Sequence, residues 1–179
     1  MVHEEKRQNL DTLYRRYAEQ LFYYLIKLTG SRETAEDLVQ ETFIRATVAL
    51  EFSQTDNAKA WLYKVARNVY LDEWRKRKRR ERIPFLSKLK KGKDMISPYG
   101  LPEEEAIKRS SAAEMDELLS HLPETQRTLL YLREYEQFSY KELQSALDLS
   151  ESQVKSELHR ARKRVREIYM KKEGSADGE

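Results

Sequence analysis

Residues 138–167 read FSYKELQSALDLSESQVKSELHRARKRVRE, and two serines in this stretch set its geometry. Ser139 is followed three residues later by Glu142, and Ser150 by Gln153. Each pair has the spacing of a capping box: the serine hydroxyl accepts the amide of the third helical residue, whose side chain reaches back. Only ALDL (146–149) separates the first helix from the second start, and Leu143, Leu147 and Leu149 supply an apolar junction. Two short helices joined through so tight a turn form a helix-turn-helix.

On a helical wheel of about 100° per residue, Val154, Leu158, Ala161 and Val165 of the second helix fall on one stripe. Ser156, His159, Arg160 and Lys163 fall opposite, with Lys155 and Glu157 on the shoulders. That polar face fits a DNA major groove, where Lys or Arg reach guanine acceptors and shorter side chains read neighbouring edges. A plain amphipathic surface helix would share the stripe, but not the paired caps and the turn. His159 reads as DNA-facing, because no cysteine or carboxylate cluster stands around it at metal-ligand spacing; His3 and His121 are equally isolated.

Further upstream, LYKVARNVYLDEWRKRKRRER (62–82) ends with seven basic residues in its last eight. Trp61, Leu62, Val65, Ala66 and Val69 share a face that reads as core. Tyr63, Tyr70 and Trp74 share a second face with Arg67 between them, and Lys64, Asn68 and Arg75 share a third. Aromatic rings stack on unpaired bases, worth about 1–3 kcal/mol each, while arginines follow phosphates. Rings and charge on one helix suit DNA that is being opened. The plainer alternative is a doubly buried helix with a solvated basic end.

The rest of the chain is also helical in period. Leu10, Leu13, Tyr14, Tyr17, Leu21, Tyr24, Leu25 and Leu28 predict a helix over 10–28 that Gly30 stops. Ser31 can cap the next helix, with Glu33 in its first turn and a stripe of Ala35, Leu38, Val39 and Phe43. EFSQTDN (51–57) reads as a polar loop, with Asp56 or Asn57 starting the third helix. Three prolines and two glycines mark 83–102 as a linker. Two more helices are expected after it, separated around Pro123, and KKEGSADGE at the end reads as disordered. The expected fold is all-α, with two small helical domains joined by a Pro/Gly-containing linker. The expected boundaries are 1–82, 83–102, 103–172 and a tail at 173–179.

The 179 residues are 39% hydrophobic and 36% charged, enough for small cores but not for one large one. With no cysteine, thiolate metal sites and disulfides are excluded. No apolar leader or membrane-length run is present, so a cytoplasmic protein is expected. The net charge of +3 conceals a blocked pattern. Segments 58–93 and 154–179 are basic, at +11 and +3, whereas 1–57 and 94–153 are acidic, at −3 and −8. Polyanion contact at two places, with other faces left for protein partners, follows from that alternation.

AEDLVQETFIRA (35–46), WLYKVARNVYLDEWRKRKR (61–79) and the stretch from LPETQRTLLYLREYEQ into the helix-turn-helix (122–167) resemble bacterial RNA polymerase sigma factors. The likeness is to the small two-domain extracytoplasmic-function group and covers nearly the whole chain in the family's order. It implies a non-catalytic promoter-specificity factor with no cofactor, metal or small-molecule substrate. Asp37, Leu38, Gln40, Glu41, Phe43 and Arg45 fall where the family docks on the beta-prime clamp helices of core polymerase. The loop at 51–57 falls where a flipped −10 base is captured, and Lys64, Arg67, Asn68 and Arg75 match the −10 helix. Lys155, Ser156, His159, Arg160 and Arg162 match the −35 recognition helix, beside Lys163 from the wheel. Asp72 belongs to a pattern that reads as structural. The implied partners are core polymerase, also through its beta flap, promoter DNA, and an anti-sigma factor of free or membrane-bound type.

Two departures stand out. Asp148 replaces a common turn glycine, and Glu157 stands where a basic residue is common. An acid there either accepts from a cytosine amino group or lies clear of phosphate. Two other functions compete with this reading. A stand-alone repressor would bind a palindrome as a dimer, against which the acidic docking helix and the aromatic-basic helix count. A nuclease would need clustered metal ligands, and none are grouped near basic residues.

Overall fold

The protein divides into two units, Met1–Gly100 and Leu101–Glu179. The structure, a computed structural model, describes residues 2–49, 57–81 and 117–176, with side chains over 10–49, 57–80 and 117–171. Residues 51–56 of the loop expected at 51–57, the linker, the part before 117 of the helix expected after it, and the last three residues lie outside the described residues. Every regular element among the described residues is helical.

In the first unit, α1 (Val2–Thr29) starts upstream of the first apolar residue of its stripe. It ends where Gly30, at φ +65°, turns its N–H back to the Ile26 carbonyl at 2.8 Å. Helix α2 (Arg32–Ala49) starts on the Ser31 hydroxyl, which accepts from the Thr34 amide at 3.3 Å. Helix α3 (Ala58–Glu81) starts on Asn57, whose Oδ1 accepts from the Ala60 amide at 2.9 Å.

The three helices bury one face each against the other two. From α1 come Leu21, Phe22, Tyr24, Leu25 and Leu28; from α2 Ala35, Leu38, Val39, Phe43 and Ala46; from α3 Leu62, Tyr63, Ala66 and Val69. All recur at the three- and four-residue spacing that puts side chains on one helix face. Thr42, fully buried on α2, satisfies its hydroxyl by donating to the Leu38 carbonyl at 2.6 Å. Two polar ties bind the helices from outside the core. Arg45 on α2 donates to Asp72 on α3 at 2.6 Å, and Arg77 on α3 donates to Thr34 on α2 at 2.7 Å.

In the second unit, a helical turn at 117–120 buries Leu118 and Leu119, with Leu122 just behind it. Arg127 closes that turn by donating to the carbonyls of Ser120 and Leu122 at 2.8 and 3.1 Å. Pro123 then serves as N-cap of α4 (Glu124–Glu134). Beyond α4, Gln137 takes φ 57°, and the next amide, that of Phe138, donates back to the Leu132 carbonyl at 2.9 Å. This return buries the Phe138 ring, as Leu129, Leu132 and Leu143 of the same unit are buried. Helices α5 (Tyr140–Leu147) and α6 (Glu151–Ala176) complete the unit. α6 continues to Ala176, past the expected end of folded structure at 172, because each added residue extends an existing hydrogen-bond ladder without new nucleation.

Candidate nucleic-acid interface

The turn between α5 and α6 is built as its sequence spacing requires. Ser139 accepts from the Glu142 amide at 3.2 Å while the Glu142 carboxylate accepts from the Ser139 amide at 2.7 Å. Ser150 and Gln153 repeat the reciprocal pair at 3.3 and 2.8 Å. Between them Asp148 adopts φ 54°, ψ 45°, a left-handed conformation that Asp tolerates better than most residues. The glycine substitute therefore preserves the turn, and Leu143, Ala146 and Leu147 stay buried.

These caps fix the orientation of α6. Val154, Leu158 and Ala161 are buried, and Val165 is half-buried as the stripe runs off the end of the core. Lys155, Ser156, His159, Arg160, Arg162 and Lys163 are all exposed. The cations of this face are held by neighbouring acids. Lys155 pairs with Glu151 at 2.5 Å, Arg160 with Glu157 at 2.5 Å, Arg162 with Glu134 of α4 at 2.9 Å, and Lys163 with Glu167 at 3.9 Å.

Glu157 has both carboxylate oxygens engaged by neighbours in this arrangement. Its second oxygen accepts from Gln126 of α4 at 2.8 Å. That bond, ahead of the one from Arg160, holds its carboxyl below the usual glutamate range.

On α3 the structure corrects the expected division of faces. Tyr63 is 1% exposed and Tyr70 9%, so neither ring can receive a base. Tyr63 packs against Tyr24 of α1 at 5.3 Å between ring centroids. Trp61 and Val65, expected in the core, are only half-buried. The buried arc is turned toward the tyrosines because α3 must satisfy both α1 and α2. Trp74 alone of the three rings is open, at 43% exposure, with the Lys78 ammonium 4.0 Å from its centroid.

Trp74 also borders a cleft of about 70 Å³ that reaches Leu28, Leu38 and Tyr70. Asn68 and Arg75 are exposed, Lys64 and Arg67 half-buried. Within the basic run, Arg77 is turned inward to Thr34 and toward Glu73 at 3.6 Å, whereas Lys76, Lys78, Arg79 and Arg80 face solvent. Asp72 accepts from Arg45 and, at 3.2 Å, from Arg75. The Arg45 bond leads the causes that lower its carboxyl below the aspartate range.

The expected docking residues of α2 also divide. Leu38 and Phe43 are 5% and 6% exposed; they anchor the helix in the core of the unit. Arg45 is committed to Asp72 and to Glu41, the latter at 2.7 Å. Asp37 and Gln40 are exposed. Beside them on the same stripe lie two apolar side chains that sequence reasoning passed over, Ile44 at 61% and Val48 at 69% exposure. The signal was present: positions 37, 40, 44 and 48 recur at helical spacing opposite the buried set.

Among the described residues, no three His, Asp or Glu side chains are grouped to hold a metal ion, and no helix is long and apolar enough to cross a membrane.

Comparison with known proteins gives a family for both units. Residues 13–80 match sigma-70 region 2, and residues 112–165 match sigma-70 region 4. The chain is 32% identical over 164 residues to the ECF RNA polymerase sigma factor SigM of Bacillus subtilis, spanning 89% of this chain and 94% of that one. It is 31% identical over 157 residues to the RNA polymerase sigma factor YlaC of the same organism, spanning 87% and 89%. Its fold is similar to that of the sigma factor RpoE in its co-crystal structure with the anti-sigma factor NepR from Bartonella quintana. That likeness has a TM-score of 0.69 at 24% identity, over 91% of this chain and 98% of the other.

Proposed function

This chain belongs to the extracytoplasmic-function sigma factors of the sigma-70 family, promoter-recognition factors of RNA polymerase, and from that premise we propose how its residues divide the work. The 1–82 segment docks on core polymerase and opens the −10 element. The 103–172 segment reads the −35 element, and 83–102 connects them. The phosphodiester chemistry belongs to the polymerase, and this chain contributes binding alone, in the cytoplasm where polymerase works.

The observation that carries the reading is the split of α6 into a buried stripe of Val154, Leu158 and Ala161 and an exposed face of Lys155, Ser156, His159 and Arg160. A helix so held, behind a capped turn, presents side chains to a major groove without unfolding anything. Arg162 and Lys163 flank that face and serve the phosphates. On the first unit, Lys64, Arg67, Asn68 and Arg75 act on −10 DNA, with Trp74 as the accessible ring. Polymerase docks through Asp37, Gln40 and Glu41 joined by Ile44 and Val48, an apolar centre with a polar rim as in well-packed interfaces. The clamp helices take this face, and the beta flap takes the second unit. An anti-sigma factor, by analogy with the NepR complex of the structural neighbour, competes for the same surfaces.

In vitro transcription with purified core polymerase and a promoter library tests the reading. Selective transcription of promoters sharing a −10/−35 pair is expected only when the chain is added. A library transcribed without selection, or a chain that binds a palindrome tightly as a dimer without polymerase, would overturn it.

A further inference from the structure

Glu157 is the one acid on the shoulder of an otherwise basic reading face, and it has a fixed place there. Its two carboxylate oxygens are taken by different donors. One accepts from Nε2 of Gln126 at 2.8 Å, the other from Nη1 of Arg160 at 2.5 Å. Gln126 belongs to the first turn of α4 and is 5% exposed, so its side chain is enclosed by packing and its amide meets Glu157 away from solvent. Arg160 is a long side chain with a large rotamer freedom of its own and is mostly open to solvent. The chain of bonds therefore runs from a buried group, through the acid, to an exposed cation of the recognition helix.

From this geometry we infer that Glu157 is a positioning residue for promoter specificity, buttressing the Arg160 guanidinium so that it reads one base position. The inference rests on Arg160 as a base-reading residue. The carboxylate occupies one donor at Nη1, which leaves the Nε and Nη2 donors as a planar pair. Such a pair matches the O6 and N7 acceptors of guanine. Without the buttress, the same guanidinium samples phosphate and neighbouring base edges as well, and discrimination falls while general attraction to DNA rises. The acid thus raises specificity and lowers non-specific affinity together, a combination that a purely structural role would not give.

The test is transcription by the full chain with core polymerase from a library randomised across the −35 element. Wild type, Glu157→Gln, Arg160→Ala and the double variant are compared. Glu157→Gln keeps the size of the side chain and can still bond Gln126, so the fold is maintained; circular dichroism and a thermal melt check that. The expected result is a loss of about three- to tenfold in base preference at one −35 position, the scale of one hydrogen bond. Non-specific DNA retention should rise, and no further change at that position should appear when Arg160 is already alanine.

If Arg160→Ala flattens one position but Glu157→Gln leaves it intact, the buttress is wrong and the base contact stands. If Glu157→Gln changes preference equally in both backgrounds, Glu157 touches DNA itself and the inference also fails. If Arg160→Ala scales every promoter alike, the base-reading role fails and takes the buttress with it.

Discussion

Gly30 and Asp148, two of the three described residues with left-handed backbone, hold it for opposite reasons of chemistry. Gly30 sits at φ +65° with open space where a Cβ would stand, so a side chain there meets backbone strain and no clash. Gly30→Ala is expected to lower stability by about 1–2 kcal/mol, read as a lower urea midpoint with an unchanged slope. Asp148 holds φ 54° with a side chain, and the reverse change relieves strain. Asp148→Gly is expected to raise stability by a few tenths to about 1 kcal/mol, with promoter preference intact. At this scale the sequence is a good guide, because caps and turns are local. Ser31, Asn57, Ser139 and Ser150 each meet the amide that their position in the chain predicts. Glu157 is not readable in the same way, since its partner Gln126 is far away in sequence and only the packing of α4 against α6 brings them together.

Helices show where a wheel stops being sufficient. A wheel gives the faces of α3 but not the directions from which α1 and α2 approach, so Tyr63 and Tyr70, which on the wheel suit stacked bases, belong to the core. On α2 the buried stripe is legible in the sequence and the outer stripe only half so. Ile44 and Val48 should form the centre of the polymerase contact. Ile44→Glu is expected to weaken binding to core enzyme at least about tenfold, as removal of an apolar interface centre does, with helical content unchanged; undiminished co-purification would reject the contact.

The basic end of α3 should act differently from α6. Replacing Lys78, Arg79 and Arg80 by glutamine is expected to weaken all promoters alike. It should also reduce the salt slope by roughly 0.9 for each phosphate that is no longer neutralised, measured at two salt concentrations. Arg77 is left out because it braces α2 through Thr34.

The tie between Arg45 and Asp72 adds a pH dependence. Asp72 is lowered by its partner, so its stabilisation is complete above the ordinary aspartate range and is lost as pH falls through the lowered folded value. Asp72→Asn should therefore flatten the acid side of the stability profile. The effect should stay below about 1 kcal/mol, because the pair is more than a third exposed and screened.

Along the whole sequence, basic segments alternate with acidic ones. The two acidic segments carry −3 and −8 against +11 and +3 on the basic ones. On α6 the same balance recurs side chain by side chain, with Lys155, Arg160, Arg162 and Lys163 each facing a carboxylate. On the proposed reading, phosphate competes with the acids on Lys155, Arg162 and Lys163, whereas Glu157 stays on Arg160 while that residue reads a base. Free chain is accordingly expected to bind promoter duplex weakly at physiological salt and more tightly once core polymerase is added. Fluorescence anisotropy with and without core enzyme measures this, and tight sequence-specific binding by the free chain would contradict it. Composition and the two separated helix patterns make the all-α, two-part organisation legible. The pairs Lys155–Glu151, Arg160–Glu157 and Lys163–Glu167 lie three or four residues apart within α6 and are legible too; only Arg162–Glu134 depends on a crossing of α4 and α6 that no local window contains.

The separation of buried and exposed faces on α6 has an evolutionary consequence. Positions 155, 156, 159 and 160 carry no packing, so exchanging them leaves the fold's free energy nearly untouched, within about 0.5 kcal/mol each. A duplicated copy of this chain could acquire a new set of target promoters through mutations that all remain folded along the way. Position 157 is the exception. Its bond to the buried amide of Gln126 makes any change that cannot accept that bond a change in both vocabulary and scaffold, so divergence in promoter choice should proceed around that position before it proceeds through it.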